Sequence, residues 1–157
     1  MKSILILIFS LFCLPWIAGA QEFTDNNGLA YTRNGSLLNG KYVTKFDNNL
    51  IREEFNFKNG LKDGIYVAYG TNGNIIESGL YSNGKKDGKW QKWNLEGLKI
   101  NEIRFKDGIK DGKWQVWDSN GILRCLMFYN NGQKTGTWKI FDEKGLLVKE
   151  ENYDVVF

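Results

Sequence analysis

The 157-residue chain contains no histidine, one proline and two cysteines. Without histidine there can be no imidazole-ligated metal site, no Ser-His-Asp triad and no imidazole acid–base catalysis. The proline and one cysteine, Pro15 and Cys13, lie within the first twenty residues. The chain also lacks an apolar run long enough to span a membrane as a stable helix.

Three features of the N-terminus are typical of a secretory signal peptide. Lys2 precedes an apolar run at residues 4–14, and the small residues AGA follow at 18–20. The run is too short to span a bilayer as a stable helix, and AGA fits a cleavage site. Residues 1–20 are therefore predicted to be a cleaved signal peptide, and an uncleaved anchor is the alternative. The mature protein is expected to be secreted or periplasmic, with no stable membrane span.

Residues 21–157 have a length that suits one domain. Removal of Lys2 lowers the formal charge from +3 to +2, which favours no polyanionic partner, so nucleic acid binding is not expected. Cys125 remains as the one cysteine of this segment, and a single cysteine cannot form an internal disulfide.

The segment is dominated by an internal repeat of 24 residues. Residues 86–93 read KDGKWQKW and residues 110–117 read KDGKWQVW. Three columns recur in the same register: a glycine, an aromatic residue two positions later, and a second aromatic residue three positions after that. The glycine column is Gly40, Gly64, Gly88, Gly112 and Gly136. The first aromatic column is Tyr42, Tyr66, Trp90, Trp114 and Trp138. The second is Tyr69, Trp93, Trp117 and Phe141, with Lys45 in the first copy.

Each repeat contains a short and a longer run of aromatic and β-branched residues, separated by turn signals that contain glycine. Such runs bounded by Asn-Gly or Asp-Gly predict strands joined by tight turns. Helices are disfavoured because a glycine about every dozen residues would leave them too short to persist. The sequence therefore predicts an all-β fold: an elongated single-layer antiparallel sheet of tandem 24-residue hairpins. Five repeats occupy residues 39–157, including a C-terminal closing strand, and residues 21–38 form an N-terminal capping segment.

The repeat resembles the MORN repeat, in the variant form found in bacterial proteins of the YwqK-like antitoxin family. The resemblance rests on the recurrent start (D/N)G-x-(W/Y)-x-x-(W/Y/F) and on NGxK(D/T)G, as in YSNGKKDGKW at residues 81–90. It implies an elongated single-layer sheet that contacts partners, proteins or sometimes lipids, rather than an enzyme. The antitoxin name fits poorly with export.

The two aromatic columns are expected on opposite faces, because Trp90 and Trp93 are an odd number of residues apart on one strand. In one hypothesis, the first column packs beneath a curled sheet and the second forms a half-exposed groove. In the other, long side chains cover both columns and both are structural. The second column is the candidate interaction surface, and the first column and the glycines are predicted to be structural. Lysines at 62, 86, 110 and 134 are expected to be solvated hairpin tips.

No set of residues indicates catalysis. Glu53, Glu54 and Glu77 could suggest paired carboxylates, but Asn101 and Cys125 replace them in later copies, which favours an exposed sheet surface. A thiol nucleophile would lack an imidazole base, and no phosphate loop occurs. We therefore predict no catalytic, metal-binding or cofactor-binding residues. The predicted function is an exported scaffold that binds another protein in the cell envelope or outside the cell. Glycan binding and antitoxin-like neutralisation are the alternatives.

Overall fold

The computed structural model describes residues 23–24, 28–32 and 34–154. The predicted signal peptide and residues 155–157 lie outside the described residues. The described part is built from strands, and within it no helix is long and apolar enough to cross a membrane. The strands are β1 (Phe23–Thr24), β2 (Ala30–Tyr31), β3 (Gly40–Lys45), β4 (Ile51–Lys58), β5 (Leu61–Lys62), β6 (Gly64–Tyr69), β7 (Ile75–Ser82), β8 (Lys85–Trp93), β9 (Lys99–Lys106), β10 (Ile109–Trp117), β11 (Leu123–Asn130), β12 (Gln133–Phe141) and β13 (Leu147–Asn152).

Strands β3 to β13 form one open antiparallel sheet in which spatial order follows chain order. β5 and β6 are two parts of one strand, interrupted at Asp63, and both pair with β4. β1 and β2 make a separate two-stranded sheet. The predicted all-β fold, a single antiparallel sheet of tandem hairpins, is confirmed.

Two-residue turns of Asn-Gly or Asp-Gly join each repeat to the next. In the turn between β7 and β8, Asn83 and Gly84 have φ values of 48° and 79°. Positive φ at both central residues is the type I′ geometry, whose twist matches that of the flanking strands. The same residue types recur every 24 positions, so the register of the sheet is set again at each repeat.

Longer turns close the hairpin inside each repeat. In the turn after β8, the Asn94 N–H donates to the Leu98 carbonyl at 2.9 Å, and the Gly97 N–H donates to the Asn94 carbonyl at 3.0 Å. The pairing beside this turn is irregular, because Lys92 pairs with Asn101 whereas Trp93 pairs with Lys99. The extra residue is a β-bulge, which increases the local twist of the sheet.

The Asp-Gly dipeptides of the first glycine column, such as Asp111-Gly112, do not make turns, contrary to expectation. Gly112 lies in the middle of β10 with φ 96°, and the pairing of β10 with β9 breaks between Lys110 and Trp114. The glycine is needed because a bulge with positive φ strains any residue that carries a Cβ atom.

Backbone and side-chain hydrogen bonds also link the ends of adjacent repeats. The Gly84 N–H donates to the Lys62 carbonyl at 2.7 Å, and the Asn83 N–H donates to Asp63 Oδ2 at 3.1 Å. The N-terminal segment reproduces this contact for the first repeat. Leu38 supplies the carbonyl to the Gly60 N–H at 2.8 Å, and Asn39 Oδ1 accepts from the Asn59 N–H at 2.8 Å. The residues preceding β3 thus act as a partial repeat.

The most buried side chains lie toward the N-terminal end of one face of the sheet. Their exposed fractions are 8% or less, and they are Ala30, Leu38, Phe55, Phe57, Tyr66, Ala68 and Trp90. Ala30 and Leu38 belong to the segment before β3 and complete this cluster. Trp114 and Trp138, farther along the same face, are half-buried. The core therefore lies on one face of a single sheet, at the end that the segment before β3 covers.

Candidate interaction surface

The structure places the two aromatic columns on opposite faces of the sheet. We call the face that carries Trp90 and Trp114 the first face, and the face that carries Trp93 and Trp117 the second face. On the second face Glu102 accepts from Gln91 Nε2 at 2.9 Å and from Lys99 Nζ at 2.9 Å. Lys99 Nζ also lies 4.6 Å from the centre of the Trp117 ring, so these side chains share one surface.

The first face is packed like a core around Trp90, which is 4% exposed. Its ring stacks on Tyr66 at 5.4 Å between centroids and meets the ring of Tyr81 edge-on at 5.0 Å. The indole N–H donates to the Leu80 carbonyl at 3.0 Å. These contacts give Trp90 a structural role.

A glycine at position 79 makes room for this ring. A Cβ atom added to Gly79 would lie 2.2 Å from Cδ2 and 2.3 Å from Cε2 of Trp90. Because that spacing is far below van der Waals contact, Trp90 lies flat on the strand only where position 79 has no side chain.

Lysines cover the exposed sides of the first-face rings, instead of forming the solvated hairpin tips expected from the sequence. Lys86 Nζ lies 3.7 Å from the centre of the Trp90 ring, and Lys110 Nζ lies 3.8 Å from that of Trp114. Lys134 Nζ lies 4.5 Å from the centre of the Trp138 ring, whereas Lys62 Nζ lies closer to the Phe55 ring, at 4.8 Å, than to the Tyr66 ring, at 6.0 Å. The bulge beside each lysine brings its side chain over the rings, where an ammonium group is attracted to the aromatic face.

In the C-terminal half of the first face, the aromatic rings are less buried and one indole N–H has no hydrogen-bond partner. Rings follow one another at centroid distances of 5.6, 5.2 and 4.8 Å along Trp114, Tyr129, Trp138 and Tyr153. The Trp138 indole N–H donates to the Phe128 carbonyl at 3.0 Å. The corresponding Trp114 Nε1 is buried without a hydrogen-bond partner.

The glutamates of the first face are held in structural contacts. Glu53 Oε1 accepts a hydrogen bond from the Tyr66 hydroxyl at 2.9 Å. Glu77 lies 3.3 Å from Lys86 Nζ and 3.5 Å from Lys92 Nζ. Burial first, and the Glu53 contact second, raise the pKa of Tyr66 far above its ordinary value. Because their neighbours hold both carboxylates, Glu53 and Glu77 do not form a free acid–base pair.

Cys125 is half-buried, in backbone pairing with Val116 and Ile140. Apolar neighbours on both sides are typical of a packing cysteine. Among the described residues, no cluster of three or more cysteine, aspartate or glutamate side chains could hold a metal ion.

The second face carries an apolar row along the edge where the longer turns lie. Tyr69 pairs with Ile75, and Phe141 pairs with Leu147. Trp117 pairs with Leu123, and Trp93 pairs with Lys99. The aromatic members are half-buried, whereas Ile75 and Leu147 are 45% and 49% exposed. We call this row the turn-side stripe: Ile51, Tyr69, Ile75, Trp93, Trp117, Leu123, Phe141 and Leu147.

Sequence reasoning identified the aromatic half of this stripe and missed its aliphatic half. Residues 51, 75, 99, 123 and 147 form one column of the 24-residue repeat, apolar in four copies and lysine in one. The register of the pairing, with its bulge, places this column beside the aromatic one. The apolar character of this column could have been recognised in the sequence. Its position next to Tyr69 and Trp93 could not, because that position depends on the bulge.

Ion pairs surround the stripe on the second face. Lys41 Nζ lies 2.8 Å from Glu54, and Lys139 Nζ lies 3.5 Å from Glu150. Burial alone would raise the pKa of Glu102, but Lys99 and Gln91 stabilise its charged form and lower that pKa below the ordinary value. Charges of both signs thus border the apolar row, a pattern typical of protein-binding surfaces with a polar rim.

Comparison with known families points to the same architecture. Residues 110–133 and 134–154 match the MORN repeat variant. No curated protein matches the chain. The two matched segments begin at Lys110 and Lys134, the lysines that cover Trp114 and Trp138.

The matched MORN variant repeats have the same strand and turn pattern as the hairpins before them. β10 and β11 belong to the first matched repeat, and β12 and β13 to the second. The chain is therefore a repeat scaffold, in which the last two hairpins carry the recognisable family pattern and the earlier ones continue its geometry.

Proposed function

We propose that this protein is an exported, non-catalytic scaffold that binds another protein in the cell envelope or outside the cell. The binding surface is the turn-side stripe. The supporting observation is the extent of this row: aromatic and aliphatic side chains follow one another from Ile51 to Leu147 across five hairpins, with an interruption at Lys99, opposite Trp93. Equivalent residues of adjacent repeats are about 10 Å apart, so an extended partner could contact several repeats at once.

A protein partner accounts for the stripe better than a glycan does. Sugar rings stack on uncovered aromatic faces, but Lys99 already lies 4.6 Å from the centre of the Trp117 ring. The aliphatic members, Ile75 and Leu147, offer apolar contact without stacking. Antitoxin-like neutralisation, implied by the YwqK-like resemblance, would be a special case in which the bound protein is a toxin.

Export rests on the N-terminal sequence alone. Cleavage after Ala20 should give a mature N-terminus at Gln21, measured by mass spectrometry of protein isolated from cells. Full-length chain retained in the cytoplasm would contradict this part of the proposal and leave the binding surface untouched.

The binding surface can be tested with a double variant, Trp93→Ala and Trp117→Ala. Crosslinking and pull-down from the native envelope should lose the captured protein when both rings are removed. A glycan array is run beside the pull-down. Loss of a glycan signal in place of a protein signal would favour the alternative.

Two matched controls separate binding from stability. Ile65 and Leu80 pair on the second face away from the stripe and are 64% and 40% exposed, so replacing both with Ala should leave capture unchanged. Trp90→Ala with Trp114→Ala should instead destabilise the fold, by about 3 kcal/mol or more for Trp90. Capture that survives the loss of Trp93 and Trp117 would refute the proposed surface.

A further inference from the structure

The two end strands of the sheet match each other. β3 and β13 are the first and last strands of the sheet order, and among the described residues each pairs with one neighbour only. Every residue of β13 is exposed. An unpaired edge presents a row of free backbone donors and acceptors, which another strand can use.

We infer that β13 of one copy pairs with β3 of a second copy, head to tail, in the register that already joins one repeat to the next. Inside the chain, the second strand of each repeat always pairs with the first strand of the following repeat. Examples are β9 with β10 and β11 with β12. Among the described residues, β13 is a second strand without a following repeat, and β3 is a first strand without a full preceding one.

The internal joints fix the register of the contact between copies. Leu126 pairs with Lys139, and Glu102 pairs with Gln115. Moved by whole repeats, the same relation places Glu150 opposite Val43 of the second copy and Lys149 opposite Thr44.

Side chains on both faces suit this register. On the first face, Tyr153 would meet Tyr42 of the second copy, as Tyr81 meets Trp90 at 5.0 Å inside the chain. On the second face, Glu150 would lie between Lys41 and Lys45 of the second copy, the two neighbours of Val43 on that surface. Opposite charges and aromatic pairs across strands both stabilise a sheet.

The same charges disfavour pairing of β13 with itself. Lys149 and Glu150 lie at the centre of Leu147–Asn152. A symmetric antiparallel pair centred on either residue would place two lysines or two glutamates directly opposite each other, which is destabilising. The head-to-tail contact avoids both arrangements.

The contact would be short and therefore weak. β3 and β13 have six residues each, whereas the internal strands β8, β10 and β12 have nine. The edge just before β3 is also partly used within the chain, because the Leu38 N–H donates to the Ala30 carbonyl at 3.0 Å. A second copy therefore cannot pair with the backbone there. We expect reversible, concentration-dependent chains of copies, since a contact of this kind does not close on itself.

The register can be tested with single-cysteine variants of the full chain in a background where Cys13 and Cys125 are replaced with Ala. Mixing Val43→Cys with Glu150→Cys under oxidising conditions should give a disulfide-linked heterodimer, since directly opposite residues lie within disulfide range. Lys45→Cys with Asn152→Cys is the matched control. Lys45 and Asn152 each lie two residues from the Val43–Glu150 pair, in opposite directions along the sheet edge, so they are about 13 Å apart and should not crosslink. Crosslinking of Glu150→Cys with itself, or of the control pair alone, would overturn the inference.

Sedimentation velocity over a range of concentrations provides an independent measurement. Glu150→Lys should weaken association about tenfold, because it sets a third positive charge beside Lys41 and Lys45. Glu96→Lys, in an exposed turn away from both edges, should leave association unchanged. A protein that stays monomeric at every concentration would also overturn the inference. Neither result depends on the turn-side stripe.

Discussion

The packing of Trp90 on Gly79 yields a sharp test of what holds this single sheet together. Gly79 lies in a strand, with no positive φ to restrict its replacement, so Gly79→Ala acts through space alone. Its new Cβ atom would lie 2.2 Å from the Trp90 ring. The ring cannot simply move away, because Tyr66 stacks on it and the Leu80 carbonyl holds its N–H.

We expect Gly79→Ala to lower the free energy of unfolding by about 1–3 kcal/mol, the usual cost of overfilling a packed site. The measurement is the denaturant midpoint and slope by circular dichroism. Ser78→Ala, at the neighbouring position on the opposite face, is the control and should cost less than about 0.5 kcal/mol.

A double-mutant cycle identifies the mechanism. Trp90→Leu removes the ring, so adding Gly79→Ala in that background should cost little further stability. The coupling energy between the two sites should then be about as large as the loss of stability caused by Gly79→Ala alone, as expected for residues in contact. Additive effects, or a Gly79→Ala change within about 0.5 kcal/mol of zero, would refute the packing argument.

Three further predictions concern the bulge at Gly112, the buried hydroxyl of Tyr66 and the repeat. Gly112→Val should destabilise by about 1 kcal/mol or more, because φ is 96° there and the new Cβ would lie 3.3 Å from Arg104 Cδ; a denaturant midpoint equal to that of Lys113→Ala would contradict it. Since burial and Glu53 raise the pKa of Tyr66, the folded state keeps a proton that the unfolded state loses above about pH 10, and stability should fall as pH rises beyond that value. Denaturant midpoints between about pH 8 and pH 11 should show a shallower fall for Tyr66→Phe, and an unchanged slope would count against the buried hydroxyl. Deleting residues 87–110, one whole period, should leave a shorter folded β protein by circular dichroism, and an unfolded product would show that the repeats are not modular.

The fold was predictable because its strongest signals are local and repeated. Asn83-Gly84 and its equivalents specify a type I′ turn by residue type alone, and the fixed period carries that register along the chain. Asp111-Gly112 and its equivalents in the first glycine column were misleading, because Asp-Gly is typical of turns as well as of bulges. The pairing of β10 with β11, in which Gly112 lies opposite Tyr129, shows that Gly112 lies inside a continuous strand.

The candidate surface was only partly predictable. Alternation along a strand was enough to separate Trp90 from Trp93. Lys86 and Trp90 are four residues apart, so alternation places both on the first face. The 3.7 Å contact between Lys86 Nζ and the ring depends on the bulge between them, which brings the two residues closer together. Ile75 and Leu147 were missed because their column also contains Lys99, which hides its apolar character.

The lysines on the first face give the sheet a removable cover. A two-layered protein shields its aromatic residues with a second sheet or a helix, and uncovering them requires that layer to separate. Here a single side chain of the same sheet covers the open side of a half-buried ring, as Lys110 does over Trp114. Exposed side chains change rotamer in picoseconds to nanoseconds. A ring covered in this way can therefore become exposed to solvent or to another molecule while every strand stays in place.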